Sequence, residues 1–105
     1  MQNKIRFGMI GYGKVAALHA KALATIQHGE LVSVSGHRQE RRDAFATKWG
    51  IASRKSISDM VEQDGVQVVI VTTPHPQHYF DAMAALAAGC HVLVEKPLTL
   101  SVAEA

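Results

Sequence analysis

Apolar positions along the chain fall into short continuous runs separated by stretches of helical period, and the two kinds of segment alternate. "IRFGMI" (Ile5–Ile10) reads as a buried strand that breaks at Gly11 and Gly13. In the alanine-rich stretch that follows, Val15, Leu18, Ala22 and Ile26 fall on one helical face, which predicts a helix from Lys14 to about Gln27. Leu31 to Ser35 reads as a second strand. Gln39 to Trp49 reads as a helix with Phe45 and Trp49 one turn apart, ended by Gly50. A short extended piece from Ala52 to Arg54 precedes a helix from Ser56 to Gln63, where Ser56 and Asp59 have capping-box spacing. "VQVVIVT" (Val66 to Thr72) is the most continuous β-branched run, as expected of an interior parallel strand covered on both faces. Pro76 suits the first turn of a helix running to Ala88 and closed by Gly89, with Tyr79, Met83 and Leu86 on one stripe. His91 to Val94 is a fifth strand, and Ser101 with Glu104 opens a last helix. The alternation predicts an α/β fold, a right-handed doubly wound parallel sheet, over the single domain 1–105.

Composition narrows this little. With 105 residues, 48% of them hydrophobic, the chain builds one domain with a small but adequate core. A net charge of +2 gives no reason to expect nucleic acid or a membrane as partner. The one cysteine, Cys90, lies in a helix-to-strand connection and reads as a small buried hydrophobe, and it has no disulfide partner in the chain. The N-terminus leads straight into a strand and no apolar run is long enough for a span, so a cytoplasmic location is expected.

The chemistry concentrates where the first strand meets the first helix. In "GYGKVA", Gly11, Gly13 and Ala16 fill the G-x-G-x-x-G/A pattern, with Tyr12, Lys14 and Val15 in the same turn. Gly11 permits a tight turn, Gly13 lets backbone approach a pyrophosphate, and Ala16 lets helix and strand cross closely. The free N–H groups and positive dipole end of the helix then face a diphosphate. An ordinary glycine turn is the bland alternative, and S-adenosylmethionine-dependent methyltransferases share a similar turn. A Walker loop is excluded, because Lys14 is not followed by Ser or Thr.

About twenty residues further on, dinucleotide sites that take NAD usually carry an acid for the ribose 2′-hydroxyl. Here the second strand ends in Ser35, Gly36, His37 and Arg38. A hydroxyl, open backbone and a guanidinium suit a 2′-phosphate, so NADP is favoured and NAD is the alternative. NADPH is expected to bind at least tenfold tighter than NADH, about 1.4 kcal/mol. Arg41 and Arg42 read equally as phosphate ligands or as a solvated helix entrance.

The remaining third of the chain carries a family resemblance. "VVIVTTPHPQHYFDAMAALAAGCHVLVEKPLTLSVAEA" resembles the glucose-fructose oxidoreductase, inositol dehydrogenase and rhizopine catabolism (Gfo/Idh/MocA) family. The motifs are T-P-x-x-x-H (Thr73, Pro74, His78), A-G-x-H-V-L-x-E-K-P (Ala88 to Pro97) and an S-x-A-E helix start; "RQERRDAFATKWGI" looks like the family's second helix. The resemblance implies a nicotinamide coenzyme held by the glycine turn, the Ser35–Arg38 segment, Thr72, Thr73, Pro74, His75, His78, Glu95, Lys96 and Pro97. Lys96 carries over as the catalytic residue, able to hydrogen-bond the hydroxyl or carbonyl that changes oxidation state, with Glu95 orienting its ammonium. Substrates would be sugars, cyclitols or related hydroxy compounds. His75 stands where many members have Asn, and either reaches the nicotinamide or points to solvent. His75 and His78 make a poor metal site without a third ligand, and the family needs none. His19 reads as a surface or packed residue.

Family members run to several hundred residues, with a C-terminal α/β domain that supplies the substrate pocket and most of the oligomer interface. The chain thus reads as the cofactor half of an oxidoreductase, inactive on its own, with that domain missing. A stand-alone dinucleotide-binding or interaction module is the other reading. Apolar surface left uncovered is expected to promote self-association, making a homo-oligomer possible.

Overall fold

The computed structural model describes residues 4–73 and 75–94, with the backbone alone for 75–79. The order of elements is β1 (Ile5–Ile10), α1 (Lys14–Leu23), β2 (Gly29–Ser35), α2 (Gln39–Trp49), β3 (Ala52–Arg54), α3 (Ile57–Asp64), β4 (Val68–Val71), α4 (His75–Ala87) and β5 (His91–Val94). Among the described residues all four strand pairings are parallel, and the sheet runs β3-β2-β1-β4-β5. This is the doubly wound sheet expected. The chain steps outward from β1 to β3, then returns across it to β4, so the winding direction reverses between β1 and β4. Ligands of open α/β sheets bind at such a switch point, beyond the carboxyl ends of the strands.

Both faces of the sheet are covered, which is why its strands are apolar at successive positions. Met9, Val34 and Ile70 point to one face and pack with Ala16, Ala20 and Leu23 of α1 and Phe45 and Ala46 of α2. Ile10, Val69 and Val71 point to the other and pack with Ile57 and Met60 of α3, Ala85 of α4 and Cys90. Alternating side chains from one strand thus feed two cores.

The helices pack differently from their predicted apolar stripes. In α1 the buried residues are Ala16, Ala20 and Leu23, whereas Val15, Leu18 and Ile26 are 42%, 67% and 46% exposed and Ala22 also faces outward. The reason is distance: alanines on the inner face bring the helix axis close to the sheet, which larger side chains would prevent. The helix also stops at Leu23, short of Gln27. Thr25 donates both its backbone N–H (3.1 Å) and its hydroxyl (2.7 Å) to the Ala22 carbonyl, tightening the last turn and ending it. In α4, Met83 and Leu86 are 49% and 56% exposed while Ala85 is fully buried. Tyr79's side chain and the Ser101–Glu104 helix start lie outside the described residues.

The terminators behave as read. Gly50 closes α2 in the left-handed conformation (φ 66°), and Gly89 has φ 85°. Ser56 caps α3, its hydroxyl accepting the Asp59 N–H at 3.1 Å. Cys90 is 5% exposed, its thiol lies 3.6 Å from the Val66 carbonyl oxygen, and burial pushes that thiol up from its ordinary value. No helix among the described residues is long and apolar enough to cross a membrane.

Candidate functional site: a cleft at the switch point

At the end of β1 the backbone turns sharply. Gly11 has φ 105°, and a Cβ there would stand 2.5 Å from Thr72 Oγ1 and 3.2 Å from its carbonyl carbon. Conformation and space therefore both require glycine. The Gly11 N–H donates to the Ser35 carbonyl (3.0 Å), and the Thr72 N–H and hydroxyl both donate to the Ile10 carbonyl (2.9 and 2.8 Å). These bonds tie together the carboxyl ends of β1, β2 and β4.

Gly13 is glycine for a different reason. It is the N-cap of α1, exposed, with no side-chain cap, and a Cβ there would meet nothing within 4 Å. The first turn of α1 contains no acidic residue. Helix-end N–H donors without an anion of their own thus border open space, and this donor set fits a phosphate. Ala16 is fully buried where α1 crosses the sheet.

That open space is a cleft of about 1330 Å³. Of the residues singled out from sequence, it brings together Gly11, Tyr12, Gly13, Val15, Ser35, Gly36, His37, Arg38, Thr72 and Thr73. Lys14 opens α1 beside it and is exposed. The backbones of His75 and His78 lie in the first turn of α4; their side chains, together with Pro74, Glu95, Lys96 and Pro97, lie outside the described residues. The cleft also takes in residues the motifs did not mark, among them Lys48, Lys55, Ser58 and Asp81. Asp81 accepts a 2.6 Å hydrogen bond from the Thr73 hydroxyl. Nothing local in "HYFDAM" signals this contact, because it depends on how β4 leads into α4. Among the described residues, Arg38, Arg41, Lys48 and Lys55 line the cleft against one carboxylate, Asp81, a balance that favours an anionic ligand.

The arginines at the start of α2 separate. Arg42 is 7% exposed; its guanidinium donates to the Gly36 carbonyl (3.1 Å) and the Ser53 hydroxyl (2.7 Å), and that hydroxyl donates in turn to Asp43. It is neither a solvated entrance nor a free phosphate ligand, the two roles read from sequence. The Arg38 side chain is exposed and makes no hydrogen bond or ion pair with another described residue. Its backbone N–H donates to the Tyr12 hydroxyl at 3.0 Å. Gly36 has no positive φ, yet a Cβ there would collide with Cε2 of the Tyr12 ring and lie 3.0 Å from Cδ2. Its lack of a side chain accommodates that ring.

A five-stranded parallel sheet of this order, with a glycine turn and an uncapped helix start at its switch point, defines a Rossmann-type nucleotide-binding domain. Residues 5–105 match the model of an oxidoreductase family with an NAD-binding Rossmann fold, and the chain belongs to that Gfo/Idh/MocA family. It is 36% identical over 100 residues to glucose-6-phosphate 3-dehydrogenase of Bacillus subtilis, covering 95% of this chain and 28% of that protein. Among solved structures it is similar to the WlbA dehydrogenase of Bordetella pertussis in complex with NADH and UDP-GlcNAcA (TM-score 0.90, 31% identity, 97% of this chain and 31% of that one). It is also similar to a biliverdin reductase of Synechocystis in complex with biliverdin and NADP+ (TM-score 0.84, 30% identity, 95% and 32%). The chain thus spans less than a third of the length of these relatives.

Proposed function

We propose that residues 1–105 form the coenzyme-binding unit of an NADP(H)-dependent oxidoreductase acting on a sugar, cyclitol or related hydroxy compound. The observation that carries this reading is the turn at Gly11–Gly13, where uncapped N–H donors of α1 border the open cleft at the switch point. Gly13 and the amides after it would hold the diphosphate. Ser35, Gly36, His37 and Arg38 would face the adenosine ribose, with Arg38 pairing a 2′-phosphate. Thr72, Thr73, Pro74, His75 and His78 would border the nicotinamide end. When bound, the coenzyme supplies a hydride donor or acceptor at its nicotinamide. Lys96 would hydrogen-bond the substrate oxygen and exchange a proton with it, and Glu95 would hold the ammonium in place beside Pro97. The substrate pocket, and with it turnover, would require chain beyond this unit.

NAD is the second reading, favoured by the NADH that the WlbA structure contains and by a relative 33% identical over 106 residues, the NAD(+)-dependent scyllo-inositol 2-dehydrogenase of Bacillus subtilis. Calorimetric titration separates the two. NADPH binding at least tenfold tighter than NADH, about 1.4 kcal/mol, supports the first, and equal or reversed affinities support the second. The proposal includes a cytoplasmic location and self-association through exposed apolar side chains such as Leu18, Leu86 and Leu93. A monomeric sedimentation profile at high concentration counts against the self-association.

A further inference from the structure

Gly36 was read from sequence as an open position next to a phosphate, but its surroundings give it a second role. Its backbone is not in the left-handed region, so any residue could adopt its φ, and the requirement is for space alone. The space is taken by Tyr12. The ring is fixed on two sides, packed against the core cluster of Met9, Val34 and Phe45 and tied through its hydroxyl to the Arg38 N–H at 3.0 Å. The Gly36 carbonyl is held from the opposite direction by the buried Arg42 guanidinium at 3.1 Å. Each partner loses a bond by yielding: moving the ring breaks the bond to Arg38, and moving the backbone breaks the bond to the buried Arg42.

We infer that Tyr12 is a specificity-determining residue acting as one unit with Gly36: its pinned ring occupies the volume that a carboxylate at position 36 would need. The acid that usually selects NAD is thereby excluded on steric grounds before any charge is considered. The same contact holds the β2–α2 loop in the conformation that presents the Arg38 guanidinium, unpartnered among the described residues, to the cleft. This inference rests on the dinucleotide reading of the site.

The test is a titration of the 105-residue chain with NADPH and with NADH for wild type, Gly36→Asp, Tyr12→Ala and the double variant. Gly36→Asp alone is expected to weaken both coenzymes tenfold or more, because the displaced ring enters the cleft. Adding Tyr12→Ala is expected to recover NADH binding at least tenfold over Gly36→Asp while NADPH stays weak. A Gly36→Asp chain that binds NADH as tightly as the double variant overturns the inference and leaves the dinucleotide reading intact. Wild-type protein that binds neither coenzyme overturns the reading itself, and the selection role with it. Should Gly36→Asp not fold, Gly36→Ala poses the same steric question, with the same loss and the same rescue by Tyr12→Ala expected at smaller amplitude.

Discussion

Arg38 and Arg42 stand one helical turn apart at the start of α2, and Gly11 and Gly13 flank a single residue, yet in each pair one member builds the cleft and the other is left open to it. Arg42 is buried and joins β2 to β3 through Gly36 and Ser53, whereas the Arg38 guanidinium is exposed and unengaged among the described residues. Gly11 is forced by conformation and by contact with Thr72, whereas Gly13 borders empty space. Arg42 and Gly11 are thus engaged within the chain, whereas Arg38 and Gly13 at the lip have no side-chain partner among the described residues. A donor or charge left without an internal partner beside a cavity is what ligand binding can use, and residue type alone does not distinguish the two.

Substitutions sharpen this contrast, the largest effect falling on the scaffold. Arg42→Ala should cost about 3 kcal/mol of stability by urea unfolding, since it empties a buried site, strands the Gly36 carbonyl and removes a donor to the Ser53 hydroxyl. Gly11→Ala should cost about 2 kcal/mol, combining a left-handed backbone with the approach of Thr72. At the lip the pattern inverts. Gly13→Ala should change stability by less than about 0.5 kcal/mol, a Cβ there meeting nothing, while weakening NADPH at least about tenfold. Arg38→Ala should likewise leave the unfolding midpoint in place and weaken NADPH about tenfold, with little effect on NADH. Equal losses of stability at Arg38 and Arg42 would break the comparison.

The smallest effect concerns a third arginine. Arg54 forms two 2.8 Å bonds to Asp64, and the Asp64 carboxyl is held below its ordinary value of 3.8, chiefly by those hydrogen bonds. A carboxyl with a depressed folded value contributes stability that is complete above the unfolded value. That contribution drains away as the pH falls below about 4 toward the folded value. Unfolding curves between pH 6 and 2.5 should therefore show part of the acid loss disappear in Asp64→Asn. Coenzyme affinity at neutral pH should stay unchanged, because neither Arg54 nor Asp64 lines the cleft.

Much of this was legible in the residues. Strand positions, the Ser56 cap, the glycine stops at 50 and 89 and the glycine turn are local signals, each set by a backbone requirement that few residue types meet. The inner faces of α1 and α4 were not legible, because large apolar side chains draw the eye to a stripe while alanines at 16, 20 and 85 decide the contact. A helix resting on a sheet selects for small size at the crossing, and hydrophobicity alone does not report it. The role of Arg42, the seating of Tyr12 on Gly36 and the Thr73–Asp81 bond are long-range, formed only once β2, β3 and α4 are placed. Within "SGHRQERR" the sequence marked Arg38 for the phosphate and left Arg41 and Arg42 alike, and burial of Arg42 beside an exposed Arg41 separates those two.

The central claim is that the uncapped start of α1 receives a diphosphate. It is tested most directly by following the backbone amide resonances of the chain while NADPH is added. The account predicts that the largest shifts fall on Gly13 to Ala16, with a second group at Gly36 to Arg38. Shifts confined to other parts of the surface, with those amides unmoved at saturation, would contradict it.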